Sequence, residues 1–143
     1  MASEIGELAF LPLGGTGEIG MNFNLYRWRA AGNEKFLAVD CGIGFGGSEL
    51  PEVEVMMADP GYIADRKDKL VGLVITHAHE DHIGAVAWLW PRLKCPVYCT
   101  PFAAHRYRPA AVGDRPFHRP CHAIRHVLGL YWPDRGPADT DQD

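Results

Sequence analysis

One apolar run leads directly into a cluster of three histidines and one aspartate. Residues 71–76 are apolar almost throughout, which is typical of a strand buried on both faces. Residues 77–82 hold the cluster, and the apolar segment 83–90 that follows predicts a helix closed by Pro91. A further buried strand is expected at residues 96–100. The order strand, polar turn, helix, strand predicts an α/β (α+β) fold with the cluster at a strand-to-helix turn.

Composition limits the class of protein. The chain has 143 residues and 47% apolar side chains, enough for one domain with a core. No apolar run reaches the ~20 residues of a membrane helix, and the acidic N-terminus indicates no secretory signal, so we expect no membrane association and a cytoplasmic location. The four cysteines form no C-x-x-C pair and are expected to be free thiols. The net charge of −4 argues against a broad basic surface, but it is compatible with RNA bound in a local channel.

The use of charged residues changes near residue 104. Residues 1–104 contain all four Lys and all eight Glu, whereas residues 105–143 contain six of the ten Arg, four of the seven His, no Lys and no Glu. Hydrophobic periodicity fades at the same place, so we expect the folded part in residues 1–104 and a Pro/Arg/His-rich, disordered tail in residues 105–143. The tail is either natural or the product of a frame change near codon 104. We favour the frame change, because a GC-rich gene yields this composition out of frame.

Alternation of polar and apolar residues predicts strands before the cluster. Three segments are expected to be strands joined by short loops: residues 8–13, 22–28 and 35–41. Residues 51–59 are expected to be irregular and residues 62–70 to form a short helix. The Gly-rich segment 14–20 lacks the Lys-Ser/Thr of a phosphate-binding loop, so we interpret it as a tight turn that needs positive φ rather than as a nucleotide site.

The cluster has the composition of a site for two metal ions. Imidazole and carboxylate groups bind zinc and related divalent ions. His77 and His79 can turn toward one ion, and Asp81 and His82, at the start of the helix, toward a second. Glu80 would then point outward. Two ions ~3.5–4 Å apart can share a bridging water and stabilise both oxygens of a phosphodiester displacement.

The competing interpretation of the cluster is a polar loop that caps the helix. That interpretation is disfavoured, because three histidines and one aspartate occur within six residues directly after a buried strand. Asp40 follows another predicted strand. Its carboxylate could orient a ligand imidazole from the second shell, or it could belong to an ordinary turn at the end of the strand, and its position in the sequence supports both equally.

The motifs also resemble a known family. The pattern His-x-His-x-Asp-His in residues 77–82 is similar to the signature of the metallo-β-lactamase superfamily. Within it, the segments Leu-Gly-Gly-Thr-Gly-Glu-Ile-Gly-Met-Asn at 13–22, Val-Asp-Cys-Gly at 39–42 and Pro-Val-Tyr-Cys-Thr at 96–100 resemble ribonuclease J. The resemblance covers residues 8–104 and therefore stops where the composition changes.

The resemblance implies the N-terminal half of an αββα sandwich, which in the complete family carries an inserted beta-CASP domain and a C-terminal domain. It implies a cytoplasmic, zinc-dependent nuclease that degrades RNA from the 5′ end, also cuts internally, and often forms homo-oligomers. His77 and His79 would bind one zinc ion, Asp81 and His82 would serve the second, and Asp40 would be second shell. The catalytic group would be the bridging water, and the RNA-binding residues are unknown.

The chain also departs from the family pattern. The further His, the bridging Asp after a Gly and the last His that the family requires are not recognisable after Ala104. The resemblance therefore predicts a ribonuclease J sequence that is truncated and inactive by itself. Two other hypotheses stay open: another hydrolase of the same fold that acts on a small ester, thioester or lactam, and a non-catalytic fragment.

Overall fold

A six-stranded sheet forms the centre of the computed structural model, which describes residues 6–48, 50–106 and 121–123. The strands in these ranges are β1 (Glu7–Gly14), β2 (Phe23–Ala30), β3 (Asn33–Val39), β4 (Ile43–Gly44), β5 (Met56–Met57), β6 (Leu70–Val74), β7 (Val97–Cys99) and β8 (Cys121–Ala123). The predicted strands in segments 8–13, 22–28, 35–41, 71–76 and 96–100 are confirmed, with ends that differ by one to two residues.

The sheet changes from antiparallel to parallel at β3. Its order is β1-β2-β3-β6-β7-β8, with antiparallel pairing from β1 to β3 and parallel pairing from β3 to β8. Because parallel strands need a crossover, the chain between β6 and β7 forms helices, as the β-α-β pattern predicted. Segment 51–59, expected to be irregular, contains β5, which pairs with β4 in a separate two-stranded ribbon.

Within the described ranges, four α-helices accompany the sheet: α1 (Gly61–Ala64), α2 (Glu80–Ile83), α3 (Val86–Leu93) and α4 (Pro101–Arg106). The single helix predicted at residues 62–70 is wrong. α1 ends at Ala64, a 3-10 helix covers Lys67–Lys69, and Leu70 already pairs with Phe36 of β3, so sheet pairing ends the helical segment early.

The predicted helix end at Pro91 is also wrong, because α3 continues to Leu93. Proline removes one main-chain hydrogen bond from a helix, and Pro91 lies on the exposed side of α3. The helix ends two residues beyond it at Leu93, and the C-cap residue Lys94 has φ of +51° and donates its N–H to the Trp90 carbonyl at 2.8 Å.

The core lies on one face of the sheet. Phe23, Leu25 and Phe36 from β2 and β3 are fully buried and belong to one cluster with Ile63 of α1 and with α3. The opposite face of β1 and β2 presents large apolar side chains to solvent, among them Leu8, Phe10, Tyr26 and Trp28. One helical layer on one sheet is the architecture expected for half of an αββα sandwich.

Three cysteines have side chains that the structure describes: Cys41, Cys95 and Cys99. Cys41 and Cys95 are free and buried, as expected, but Cys99 is disulfide-bonded, so the expectation of free thiols is wrong for Cys99. Which cysteines meet depends on the tertiary structure, and cysteine spacing in the sequence does not reveal it. The predicted boundary at residue 104 falls inside α4, and most of residues 105–143 lies outside the described ranges.

None of the helices that the structure describes is long and apolar enough to cross a membrane.

Candidate metal centre

The histidine cluster lies at the carboxyl end of β6, where the chain turns into α2. β6 is paired on both sides, with β3 and β7, and its pairing continues past its end because Ile75 N donates to the Tyr98 carbonyl at 2.8 Å. At the other end of the loop, His79 is the N-cap residue of α2, and its carbonyl accepts hydrogen bonds from His82 N at 2.9 Å and Ile83 N at 3.0 Å. The loop is therefore fixed between a central strand and a helix start.

The structure brings the four predicted ligands side by side. The ring of His77 lies 4.6 Å from that of His79 and 4.0 Å from that of His82, measured between centroids. His82 Nε2 is 3.3 Å from Asp81 Oδ2, and Glu80 is exposed. Among the residues that the structure describes, no three His, Cys, Asp or Glu side chains are yet arranged to hold one metal ion.

Asp40 connects this loop to the end of β3. It is the buried acidic residue of the described core, 5% exposed. Its Oδ1 accepts hydrogen bonds from Thr76 N at 2.8 Å and Thr76 Oγ1 at 2.9 Å, and its Oδ2 accepts one from His82 Nδ1 at 2.8 Å. Its φ of +61° ends the strand at Val39, two residues earlier than predicted, in a conformation that aspartate tolerates better than most residues.

The donors present fit a divalent cation. With Asp40 accepting the proton on His82 Nδ1, the neutral ring carries a lone pair on Nε2. That lone pair faces Asp81 Oδ2, which is also an acceptor, at 3.3 Å. Two acceptors this close are stabilised by a proton, an N–H donor or a cation that lies near both. Imidazole nitrogen beside carboxylate oxygen is a combination that zinc accepts.

Close main-chain packing holds the cluster against the loop after β3. Cys41 N donates to the His82 carbonyl at 2.8 Å, and Ala85 N donates to the Cys41 carbonyl at 2.9 Å. At Gly42 an added Cβ would overlap the Asp81 carbonyl and lie 2.6 Å from His82 N, so only glycine fits. Burial raises the pKa of the Cys41 thiol to about 12, so this cysteine is a neutral packing group rather than a thiolate ligand.

Asn22 is the contact that sequence reasoning missed. Its side-chain Nδ2 donates to the Asp81 carbonyl at 3.0 Å and lies 3.4 Å from both Asp81 Oδ2 and His82 Nε2. Asn22 ends the segment 13–22 that carries the family resemblance, but nothing in its local pattern indicated contact with a loop 59 residues away. The Gly-rich turn before it has φ of +83° at Gly15, +80° at Gly17 and +97° at Gly20, which confirms the interpretation as a turn that needs positive φ.

The fold and the loop from His77 to His82 agree with the result of a comparison with known protein families. The model of the metallo-beta-lactamase superfamily matches residues 26–140, and the chain belongs to that superfamily. The fold predicted from the resemblance, a partial metallo-β-lactamase domain of mixed α/β type, is confirmed. The match extends past residue 104 into the segment of changed composition.

Among the relatives of this chain are bacterial ribonucleases J, as the sequence motifs predicted. The ribonuclease J of Sinorhizobium meliloti is 51% identical over 98 residues, which cover 68% of this chain and 17% of the relative. That of Helicobacter pylori is 40% identical over 92 residues, covering 64% and 13%, and that of Corynebacterium glutamicum is 36% identical over 115 residues, covering 73% and 16%. The chain therefore spans less than a fifth of the length of each of these relatives.

Proposed function

We propose that this chain carries the first metal-binding loop of a zinc-dependent ribonuclease, which hydrolyses phosphodiester bonds in RNA. The observation that carries the proposal is the arrangement around His82, whose ring is oriented by buried Asp40 so that Nε2 faces the carboxylate of Asp81. Similarity to ribonucleases J supports RNA as the substrate. For the complete enzyme, hydrolysis both from the 5′ end and internally, a cytoplasmic location and homo-oligomers are part of the same proposal.

His77 and His79 would hold one zinc ion, and Asp81 and His82 would serve a second. When bound, the two ions would supply Lewis acidity and an activated water. The neighbouring residues Asp40 and Thr76 position the ligands in this part of the site. Asp40 fixes the orientation of the His82 ring, and Thr76, which donates two hydrogen bonds to Asp40, holds that carboxylate in place.

By itself the chain is proposed to be inactive. The loop offers four side-chain donors for two ions, whereas a catalytic zinc ion takes about three protein ligands plus water. The non-catalytic hypothesis draws on the same observation, since in the described ranges no three donors surround one point. The division at residue 104 also stays a proposal, and sequencing the coding DNA across codon 104 in three frames decides between a natural tail and a frame change.

A chimera tests the proposed activity. The residues of this chain that match Sinorhizobium meliloti ribonuclease J would replace their counterparts in that enzyme, where the two are 51% identical. We expect the chimera to hydrolyse 5′-monophosphorylated RNA and the isolated chain to show no turnover. His79→Ala in the chimera should lower the rate by on the order of a thousandfold, since losing an ion forfeits several kcal/mol of transition-state stabilisation.

The matched control for the chimera is Glu80→Ala, which removes an exposed carboxylate from the next position of the same loop and should leave the rate within about twofold, as surface changes usually cost under 0.5 kcal/mol. RNA turnover by the isolated chain that depends on His79 would contradict its proposed inactivity. A folded chimera that cleaves a chromogenic thioester but not RNA would contradict the ribonuclease assignment and favour a small-ester hydrolase.

A further inference from the structure

Asn22 is attached to the metal loop by its main chain as well as by its side chain. Its N–H donates to the Asp81 carbonyl at 3.1 Å, and its own carbonyl accepts a hydrogen bond from Gly42 N at 2.9 Å. These two bonds tie the segment before β2 to the loop after β3 and to the start of α2. They do not involve the side chain, so substitution at position 22 leaves both in place.

The side-chain amide makes a separate set of contacts. Nδ2 donates to the same Asp81 carbonyl at 3.0 Å and is 3.4 Å from both Asp81 Oδ2 and His82 Nε2. The Gly-rich turn confines the amide from the other side, because a Cβ at Gly15 would lie 2.6 Å from Asn22 Oδ1. One amide therefore contacts the main-chain carbonyl and the carboxylate of one proposed ligand, Asp81, and the ring Nε2 of the other, His82.

We propose that Asn22 is a positioning residue of the metal centre, an inference that rests on the proposed function of Asp81 and His82 as ligands. An amide NH2 group has two donors and no lone pair, so through Nδ2 it cannot itself bind a cation. One N–H engages the Asp81 carbonyl, and the amide limits how far the carboxylate and the His82 ring can turn away from each other. Asn22 thus keeps the second pair of ligands convergent, in the way that outer-shell partners orient ligands in other metal sites.

Two variants distinguish the loss of the amide donor from the loss of side-chain volume. Asn22→Ala removes the side chain, and Asn22→Leu keeps its branched shape and volume but has no donor. Both should bind zinc about 10–100-fold more weakly than the unchanged chain, the usual effect of losing an outer-shell partner. Zinc titration by calorimetry gives the affinity, and the visible absorption of the Co²⁺-loaded chain reports ligand geometry, which a purely structural role would not alter.

Asn24→Ala is the matched control. Asn24 is the same residue type two positions along, in β2, and its side chain makes no hydrogen bond to any residue that the structure describes. Its zinc affinity and Co²⁺ spectrum should be those of the unchanged chain. Thermal unfolding without metal is recorded for every variant, and the Asn22 variants should keep a cooperative transition.

The possible outcomes distinguish failure of this inference from failure of the proposed function. If the unchanged chain binds no zinc or Co²⁺, the proposed function fails, and the inference fails with it. If the unchanged chain binds zinc and both Asn22 variants bind it equally well with the same Co²⁺ spectrum, only the inference on Asn22 is overturned. If both variants lose their metal-free transition, Asn22 supports the fold rather than the ligands, which also overturns it.

Discussion

Asp40→Asn is expected to weaken zinc binding by about 10–100-fold, because Asp40 orients the proposed ligand His82. The carboxylate has two acceptor oxygens in use: Oδ1 accepts from Thr76 N and Thr76 Oγ1, and Oδ2 accepts from His82 Nδ1. Asparagine has one acceptor oxygen and an NH2 group in place of the other. Either Thr76 or His82 must then face a donor, and one partly buried donor loses its partner.

The same substitution should lower the free energy of unfolding of the metal-free chain by about 1–3 kcal/mol, the usual cost of a buried group left unsatisfied. Calorimetric zinc titration and urea unfolding measure the two effects. Asp68→Asn is the control, because Asp68 is exposed in the 3-10 helix and should change neither quantity. An Asp40→Asn chain with unchanged zinc affinity would show that the orientation of His82 does not depend on this carboxylate.

Gly42→Ala is expected to destabilise the chain by about 3 kcal/mol or more, at the upper end of what overpacking costs. A methyl group at this position would overlap the Asp81 carbonyl and lie 2.6 Å from His82 N. All of these neighbours are main-chain atoms, so no side chain can rotate to make room. The loop must move as a whole, and we expect zinc binding to be lost together with stability.

Gly47→Ala provides the comparison for that substitution. No atom lies within 4 Å of a Cβ built at Gly47, and its φ is not positive, so alanine should leave stability unchanged or raise it by up to about 1 kcal/mol. Thermal and urea unfolding of the two variants, measured side by side, give the difference. A Gly42→Ala chain as stable as the Gly47→Ala chain would contradict the close approach of the loop after β3 to the start of α2.

The regular strands could be predicted because their signals are local. Alternation along β2 follows from which face the strand buries, and this prediction is confirmed. The strand predicted over the apolar run is present as β6, but the expected burial on both faces is wrong, since Val71 is 48% exposed. The turn at the end of β6 was predicted for the same reason, since a polar cluster directly after a buried strand has to leave the sheet. The grouping of His77, His79, Asp81 and His82 followed from their closeness in sequence.

The wrong predictions concern segments whose secondary structure is determined by tertiary contacts. The helix predicted over residues 62–70 gives way to pairing of Leu70 with Phe36, and β5 exists only because Met56 and Met57 meet β4. Neither partner can be identified from residues nearby in the chain. A strand of two residues also has too little sequence to show a period.

The supporting contacts of the candidate site were predictable only in part. Asp40 was identified as an acidic residue near the end of a strand, but its position offered no choice between a ligand-orienting role and a turn. Asn22 escaped prediction because its partner Asp81 lies 59 residues away, and a single asparagine carries no periodic signal. Thr76 was predicted only as the last residue of a buried strand, because its hydrogen bonds to Asp40 depend on the parallel alignment of β3 with β6.

Zinc titration of the unchanged chain tests the central claim, that the loop from His77 to His82 binds metal, most directly. We expect weak but measurable binding, because four donors shared between two ions leave each ion incompletely coordinated. His82→Ala should lower the number of bound ions and the overall affinity, because it removes half of the second pair of ligands, and Glu80→Ala should preserve both. A chain that binds no zinc, or binds it equally well without His82, would contradict the claim, and two tightly held ions would contradict the incomplete site.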